Sequence, residues 1–235
     1  MQIDFVTLFP ALIEGALPHS IIGRAIESEI LSYSVVNPRD FTLDAHRTVD
    51  DNPYGGGPGM VLMIEPLVLA IRSLDLSGDA AIVCPDPAGP LYTQDNAREL
   101  AQRSRIVLVC GHYEGIDGRL GEFFPVQMVS VGDFVVTGGE LPALLIADSI
   151  VRLLPGVLGS PESLTIDSHA TGLLAAPQFT RPAEFEGIRV PEVLLSGNHQ
   201  AVARWRRQQA LRLTRSLRPD LFARAPLSRS DLDLL

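Results

Sequence analysis

Short apolar runs alternate with helix-like segments through residues 1–150, and that alternation constrains the fold more than any other feature of the chain. Residues 3–8 read as a buried strand, followed by helical signals over 11–16 and 20–29 and a second strand at 31–37. A helix over 65–74, a strand at 80–84, a helix over 93–102 and an apolar strand at 106–110 continue the pattern. Strands this apolar on both faces, each followed by a helix, belong to βαβ units of a parallel sheet covered on both sides. Residues 129–131 and 134–136 are strand-like runs flanking Gly132-Asp133, and Pro142 then falls in the first turn of a helix, where its missing N–H is harmless. The expected fold is α/β with a parallel sheet, followed past a proline- and glycine-punctuated stretch at 155–179 by a small helical C-terminal part.

Three glycine-bearing loops follow the strands: Pro85-Asp86-Pro87-Ala88-Gly89-Pro90, then Gly111-His112-Tyr113-Glu114-Gly115-Ile116-Asp117, then Gly132-Asp133 with Gly138-Gly139-Glu140. Parallel sheets bind ligands outside the carboxyl ends of their strands, and glycine lets backbone amides approach a ligand closely. One such loop is equally well a plain turn; three together indicate a cofactor cradle between Cys84 and Pro142. No G-x-G-x-x-G opens a helix after the first strand, and no phosphate-loop motif is present. All 19 basic residues are arginine, which removes Schiff-base lysine chemistry as well.

The net charge of −9 argues at first against a nucleic-acid partner, but acid and base are segregated. Residues 201–235 hold eight arginines against Asp220, Asp231 and Asp233, a net +5, so the preceding 200 residues carry −14. On the helix expected over 199–216, Val202, Trp205 and Leu213 fall on one face and Arg204, Arg207 and Arg215 on the other. Without matched acids along the helix, that arginine face suits phosphate contact. Cys84 and Cys110 end apolar strands with no metal-ligand spacing and read as free thiols of a reducing, cytoplasmic compartment. The apolar run 141–158 holds Asp148 and Arg152 and breaks at Pro155-Gly156, so a buried helix explains it better than a membrane span.

Single residues remain ambiguous on this reading. Asp167 suits a turn or cap as well as a reaction, and Arg152 has a structural job in pairing with Asp148. The polar, glycine-rich stretch 44–60 is too irregular for a helix or strand, and its His46, Arg47, Asp50 and Asp51 either touch a substrate or solvate a loop.

Five blocks carry a specific resemblance: Asp50-Asp51-Asn52-Pro53-Tyr54-Gly55-Gly56-Gly57-Pro58-Gly59-Met60, Cys110-Gly111-His112-Tyr113-Glu114-Gly115-Ile116-Asp117, Gly138-Gly139-Glu140-Leu141-Pro142-Ala143, Leu154-Pro155-Gly156-Val157-Leu158-Gly159 and Val193-Leu194-Leu195-Ser196-Gly197-Asn198-His199. In order and over nearly the whole chain, they resemble the bacterial tRNA (guanine-N1) methyltransferases, of the knotted SPOUT class. The resemblance implies a deep trefoil knot in the sheet domain, a topology that general folding rules disfavour. It implies an S-adenosylmethionine-binding α/β domain over 1–158, a linker over 159–176, a tRNA-binding helical domain over 177–235, and an obligate homodimer with active sites at the subunit interface.

The implied substrate is the guanosine at tRNA position 37, beside the anticodon, and the product 1-methylguanosine. Residue by residue, Asp167 matches the general base, Arg152 a group that stabilises negative charge, and Glu114 an acid near cofactor and base. Pro85, Gly111, Tyr113, Val131, Gly132, Asp133, Phe134, Val135, Val136, Gly138, Gly139 and Pro142 match the cofactor site. A magnesium requirement is implied too, though no protein ligand set is evident. The chain departs from the family pattern at Asp86-Pro87-Ala88-Gly89, where many members have Ser-Pro-Gln-Gly, at His112, where some carry arginine, and at Ile166, where many carry glutamate before the aspartate. Two further readings stand beside this one: a knotted methyltransferase for another RNA nucleotide, and a non-catalytic RNA-binding protein with a degenerate cofactor pocket. Binding of S-adenosylmethionine separates the last from the others.

Overall fold

The computed structural model describes residues 1–160 and 162–235, which form two compact units, Met1–Gly159 and Ser160–Leu235. The first unit is built on a five-stranded sheet. Its strands are β1 (Gln2–Val6), β2 (Ser32–Val36), β3 (Ala81–Pro85), β4 (Arg105–Val109) and β5 (Val126–Val129), arranged β2-β1-β4-β3-β5 with every pair parallel. The main helices between and after them are α1 (Pro10–Ala16), α2 (Ser20–Glu27), α3 (Ile64–Arg72), α4 (Gln94–Leu100) and α5 (Glu140–Val151). The chain starts near the middle of the sheet, moves to one edge, and returns through β3 and β4, so the ends of β4 and β3 face the same side as the end of β1.

Packing on both faces explains why the strands are mostly apolar. Ile3, Phe5, Val83, Ile106 and Leu108 pack on one face with Ile13 of α1 and Ile146 and Ile150 of α5. Val6, Ile82, Val107 and Val109 pack on the other with Leu67, Val68 and Ile71 of α3. Each large aliphatic side chain buried in this way contributes about 1.5–3 kcal/mol relative to exposure. Helix ends follow local chemistry: Pro10 opens α1, and Thr93 and Asn96 form a reciprocal capping box on α4.

A few polar side chains interrupt the core, among them Asp4, Thr7 and Glu140. Asp4 is fully buried and accepts hydrogen bonds from Arg105 Nε at 2.6 Å, Ser34 Oγ at 2.7 Å and Gln2 Nε2 at 2.7 Å. Its carboxylate thereby ties β1 to both neighbouring strands, β2 and β4.

Two local expectations are corrected. The strand expected at 129–131 lies earlier, as Val126–Val129, and residues 134–136 form no strand. Gly132 sits at φ +155°, Phe134 N–H turns back to its carbonyl at 2.9 Å, and Phe134 and Val135 are 57% and 81% exposed. Their apolarity serves a surface rather than the core. Within 44–60, Asp50–Asp51 pairs antiparallel with Val61–Leu62, closing the glycine-rich stretch into a hairpin whose Gly55, Gly56, Gly57 and Gly59 all adopt positive φ.

The second unit centres on α6 (His199–Leu217), capped by the Asn198 side chain, which accepts from Ala201 N–H at 3.0 Å. Leu211 and Thr214 are its buried residues, and Thr214 Oγ1 accepts from Leu174 N–H at 2.9 Å. A two-residue hairpin, Glu184–Phe185 with Ile188–Arg189, and the short helices Glu192–Leu195, Pro219–Arg224 and Arg229–Leu232 complete it. Among the described residues no helix is long and apolar enough to cross a membrane.

The two cysteines are free and buried. Burial, with a smaller effect of Asp86, pushes the Cys84 thiol up to about 12, and burial followed by the Glu140 charge pushes Cys110 well above its usual range. Neither thiol should therefore react with a disulfide reagent at pH 8 until denaturant is added; a fast native reaction would contradict this packing. Asp4→Ala leaves Arg105 and Ser34 without their acceptor and should cost about 3–5 kcal/mol, read as a lowered urea midpoint.

Candidate active site

Parallel strands end together, so the loops leaving β3, β4 and β5 meet at one edge of the sheet. They are joined there mostly by backbone. Asp86 N–H donates to Val129 O at 2.8 Å, Ser130 N–H to Pro90 O at 2.8 Å and Tyr92 N–H to Ser130 O at 2.7 Å, binding the first loop to the third. Gly139 N–H donates to Gly111 O at 2.7 Å, and His112 bridges Gly138, binding the second to the third. A Cβ on Gly139 would lie 2.7 Å from Gly111 N and 2.8 Å from Cys110 Cα, a contact no other residue could make without moving the backbone.

The loops enclose a cleft of about 330 Å³. Eleven of the twelve residues matched to a cofactor site line it; Asp133 does not. Its walls combine glycine backbone with apolar groups, among them Pro85, Val131 and Pro142, while the Phe134 and Tyr113 rings beside them are 57% and 40% exposed. This size and this mixture of apolar wall and backbone donors fit an organic cofactor with a flat heterocycle. Ser130 and Thr137 also line the cleft and had not been singled out; their only signal in the sequence was their position between residues that had.

Glu114 and His112 bring polar side chains to the cleft, and Glu140 is buried beside Gly138, which lines it. Glu114 lines it, and its loop is held by Glu114 N–H to Met60 O at 2.9 Å and Leu62 N–H to Gly115 O at 3.0 Å. The glycine-rich hairpin is thereby fastened to the cleft. Gly59, at φ +80°, leaves room for the acid: a Cβ there would stand 2.4 Å from Glu114 Cγ and Oε1. His112 packs between Phe9 and Tyr113, with ring centroids 4.9 and 4.8 Å away, and its Nδ1 is buried with no hydrogen-bond partner. An unsatisfied buried group of this kind costs about 1–3 kcal/mol, a cost that a bound polar group at the cleft can remove. Glu140, 3% exposed, accepts from Thr7 Oγ1 at 2.7 Å in the first turn of α5, where the helix dipole favours an acid.

Other candidates take varied positions. Arg152 caps α5, its N–H donating to Asp148 O at 3.2 Å, within the first unit. Asp167 belongs to the second unit, at the carboxyl end of the single turn Ser163–Ile166, where its carbonyl accepts from Ala170 N–H at 3.2 Å. Arg47 is engaged by Asp40 and by Arg39 O, which gives it a structural role in its loop.

The arginine face of α6 needs correction. Arg207 is matched after all, by Asp231, at 2.7 and 2.9 Å. That acid is 24 residues downstream and returns on the last short helix, so a helical projection could not reveal it. Arg207 and Ser228 together hold the buried Asp231 carboxyl well below the usual carboxylate range. Arg204, Arg206, Arg212 and Arg215 form no ion pair among the described residues.

The chain is similar over its whole length to known proteins. The family described as "tRNA (Guanine-1)-methyltransferase TrmD" matches residues 1–224. A "tRNA (guanine-N(1)-)-methyltransferase" of Geobacter sulfurreducens is 52% identical over 236 residues, covering 100% of this chain and 96% of that protein. Proteins of the same description from Moorella thermoacetica and Staphylococcus carnosus are 51% and 48% identical, covering 98% and 100% of this chain and 94% and 96% of theirs.

The seat of Glu114 on Gly59 can be measured. Gly59→Ala carries a backbone strain that is independent of Glu114 and a clash that is not. In a Glu114→Ala background only the strain remains, so the substitution should cost at least about 1 kcal/mol less there than in the wild type. Equal costs in urea unfolding would show that the acid does not rest on that glycine.

Proposed function

The chain belongs to the tRNA (guanine-1)-methyltransferase TrmD family, and from that premise we propose that it methylates N1 of the guanosine at tRNA position 37, beside the anticodon, giving 1-methylguanosine. The enzyme class rests on the full-length match, and the observation that carries the site is the glycine-walled cleft at the carboxyl edge of the sheet. The motifs read from the sequence led to the same family.

S-adenosylmethionine, when bound in the cleft, supplies an electrophilic sulfonium methyl and leaves as the neutral thioether. The protein prepares the nucleophile. Guanine N1 holds a proton at neutral pH, so its lone pair becomes available only as a base removes that proton, and negative charge then develops on O6. In this reading Asp167 accepts the N1 proton and Arg152 supplies positive charge for O6. Glu114, seated on Gly59, fixes the polar wall beside the reacting groups. Pro85, Val131 and Pro142 exclude water, and the loop backbones hold the cofactor's orientation, so proximity accounts for much of the rate.

The same reading includes the trefoil knot, a homodimer and a cytoplasmic location. Leu141 and Leu145 of α5, 64% and 52% exposed, support the dimer, because neither packs into its own core. The helical residues 177–235 are the tRNA-binding part, reached through the segment 159–176, and the anticodon stem-loop is the partner. Among the described residues no three His, Cys, Asp or Glu side chains group closely enough to hold a metal ion. An all-protein cage for magnesium is therefore not present among the described residues.

The reading predicts methylation of a tRNA transcript carrying guanosine at position 37 and loss of product when that base is adenosine, with mass mapping locating the methyl group. Asp167→Asn should lower kcat about 10²–10⁴-fold, the usual range for a general base, and leave S-adenosylmethionine affinity within twofold. Methylation elsewhere in the tRNA would overturn the assigned position; full activity of Asp167→Asn would remove it from the base role.

A further inference from the structure

The second unit has a groove of about 450 Å³ whose lining residues take no part in the chemistry above. It is formed by the segment before the 184–189 hairpin, the short helix Glu192–Leu195 and the first half of α6. Phe179, Val190, Leu194 and Val202 make its apolar surface. The Phe179 ring is 47% exposed and rests against Trp205, with centroids 6.1 Å apart and planes inclined at 58°.

The charge around this groove selects its occupant. Arg181 and Arg206 both line it, neither forms an ion pair among the described residues, and no carboxylate is among the lining side chains. Nearby arginines that serve the fold are matched, Arg189 by Glu184 and Arg207 by Asp231. The asymmetry extends to the whole unit: residues 160–235 carry ten arginines against eight acids, a net +2, whereas residues 1–159 carry nine against twenty, a net −11. An apolar protein partner would bury two unneutralised guanidiniums, at a cost of several kcal/mol per ion. A nucleotide meets all three features, because a base stacks on an exposed aromatic ring while its phosphates neutralise arginines.

We propose that this groove is a subsite for one unstacked nucleotide of the RNA substrate, its base against Phe179 and its flanking phosphates at Arg181 and Arg206. The proposal rests on the reading of tRNA as substrate and adds a contact point distinct from the residues given a chemical role. Phe179 and Arg206 are then binding residues, so their loss falls on KM rather than on kcat.

The test uses the full-length enzyme, S-adenosylmethionine and a tRNA transcript bearing guanosine at position 37. Phe179→Ala should raise the KM for tRNA about 5–150-fold, the span of a lost base–aromatic stack, with kcat at saturating tRNA and S-adenosylmethionine affinity little changed. Phe179→Tyr, which restores the aromatic face, should recover most of that loss. Arg206→Gln should weaken tRNA binding and reduce the slope of log Kd against log salt by about 0.7–0.9, the share of one phosphate. Trp205, the chain's one tryptophan, gives a direct signal beside Phe179: its emission should change on adding tRNA. Wild-type KM and salt slope in both Phe179→Ala and Arg206→Gln, in an enzyme that methylates tRNA, would sink the subsite and leave the substrate reading intact. Failure of the wild type to bind or methylate tRNA would remove the substrate reading itself and the subsite with it. A change in sedimentation from dimer to monomer in Phe179→Ala would assign the groove to a second copy of the chain and overturn the proposal.

Discussion

The hydrogen bond from Gly139 N–H to Gly111 O, 2.7 Å long, is the contact on which the cleft depends. It joins the loop leaving β4 to the residue that opens α5, and the close approach requires a glycine at 139, where a Cβ would lie 2.7 Å from Gly111 N and 2.8 Å from Cys110 Cα. Behind it, Ile146 and Ile150 hold α5 on the sheet, and the buried Thr7–Glu140 hydrogen bond ties the helix's first residue to the end of β1. Backbone, fixed by a packed core on one side and a buried polar tie on the other, therefore forms much of the cleft wall. A wall of this kind presents amide donors at set positions and loses little conformational entropy when it is occupied.

The glycine-rich hairpin is coupled to that wall by similar means. Its strand Val61–Leu62 bonds to the loop carrying Glu114, and Gly59 yields the space that the Glu114 side chain occupies. The hairpin's sequence, which locally resembles a loose linker, is thus part of how an acid at the cleft is held. Exposed apolar groups at Phe134, Val135, Leu141 and Leu145 surround the same edge of the sheet.

Charge divides the molecule as well. The acidic sheet unit and the mildly basic helical unit sum to a net −9, so the total charge conceals the opposite sign of the helical unit. Within the helical unit, arginines have two roles that composition cannot distinguish. Arg207 and Arg218 are fastened to Asp231 and Asp220 and stabilise the unit, while Arg181 and Arg206 face a groove with no acid to meet them.

The sequence by itself determined the parallel α/β architecture, because strands buried on both faces are apolar at most positions, and each helix between them must show one apolar stripe. It also determined the family, through motifs in which several glycines and an acid recur at fixed spacings, and with the family the composition of the cleft: eleven of the twelve matched residues line it. What depends on distant parts of the chain was decided only by the tertiary structure. The apolar run 134–136 reads as a strand by composition, yet it lines the cleft, because the last strand ends at Val129 and the chain has left the sheet before it. Arg207 reads as a free cation on its helix, yet Asp231 returns to meet it from 24 residues away. The burial of Asp4 among three donors, the seat of Glu114 on Gly59 and the unpartnered Nδ1 of His112 likewise leave no local trace. Periodicity records which face of an element is buried, and it carries no information about which other segment is brought against that face.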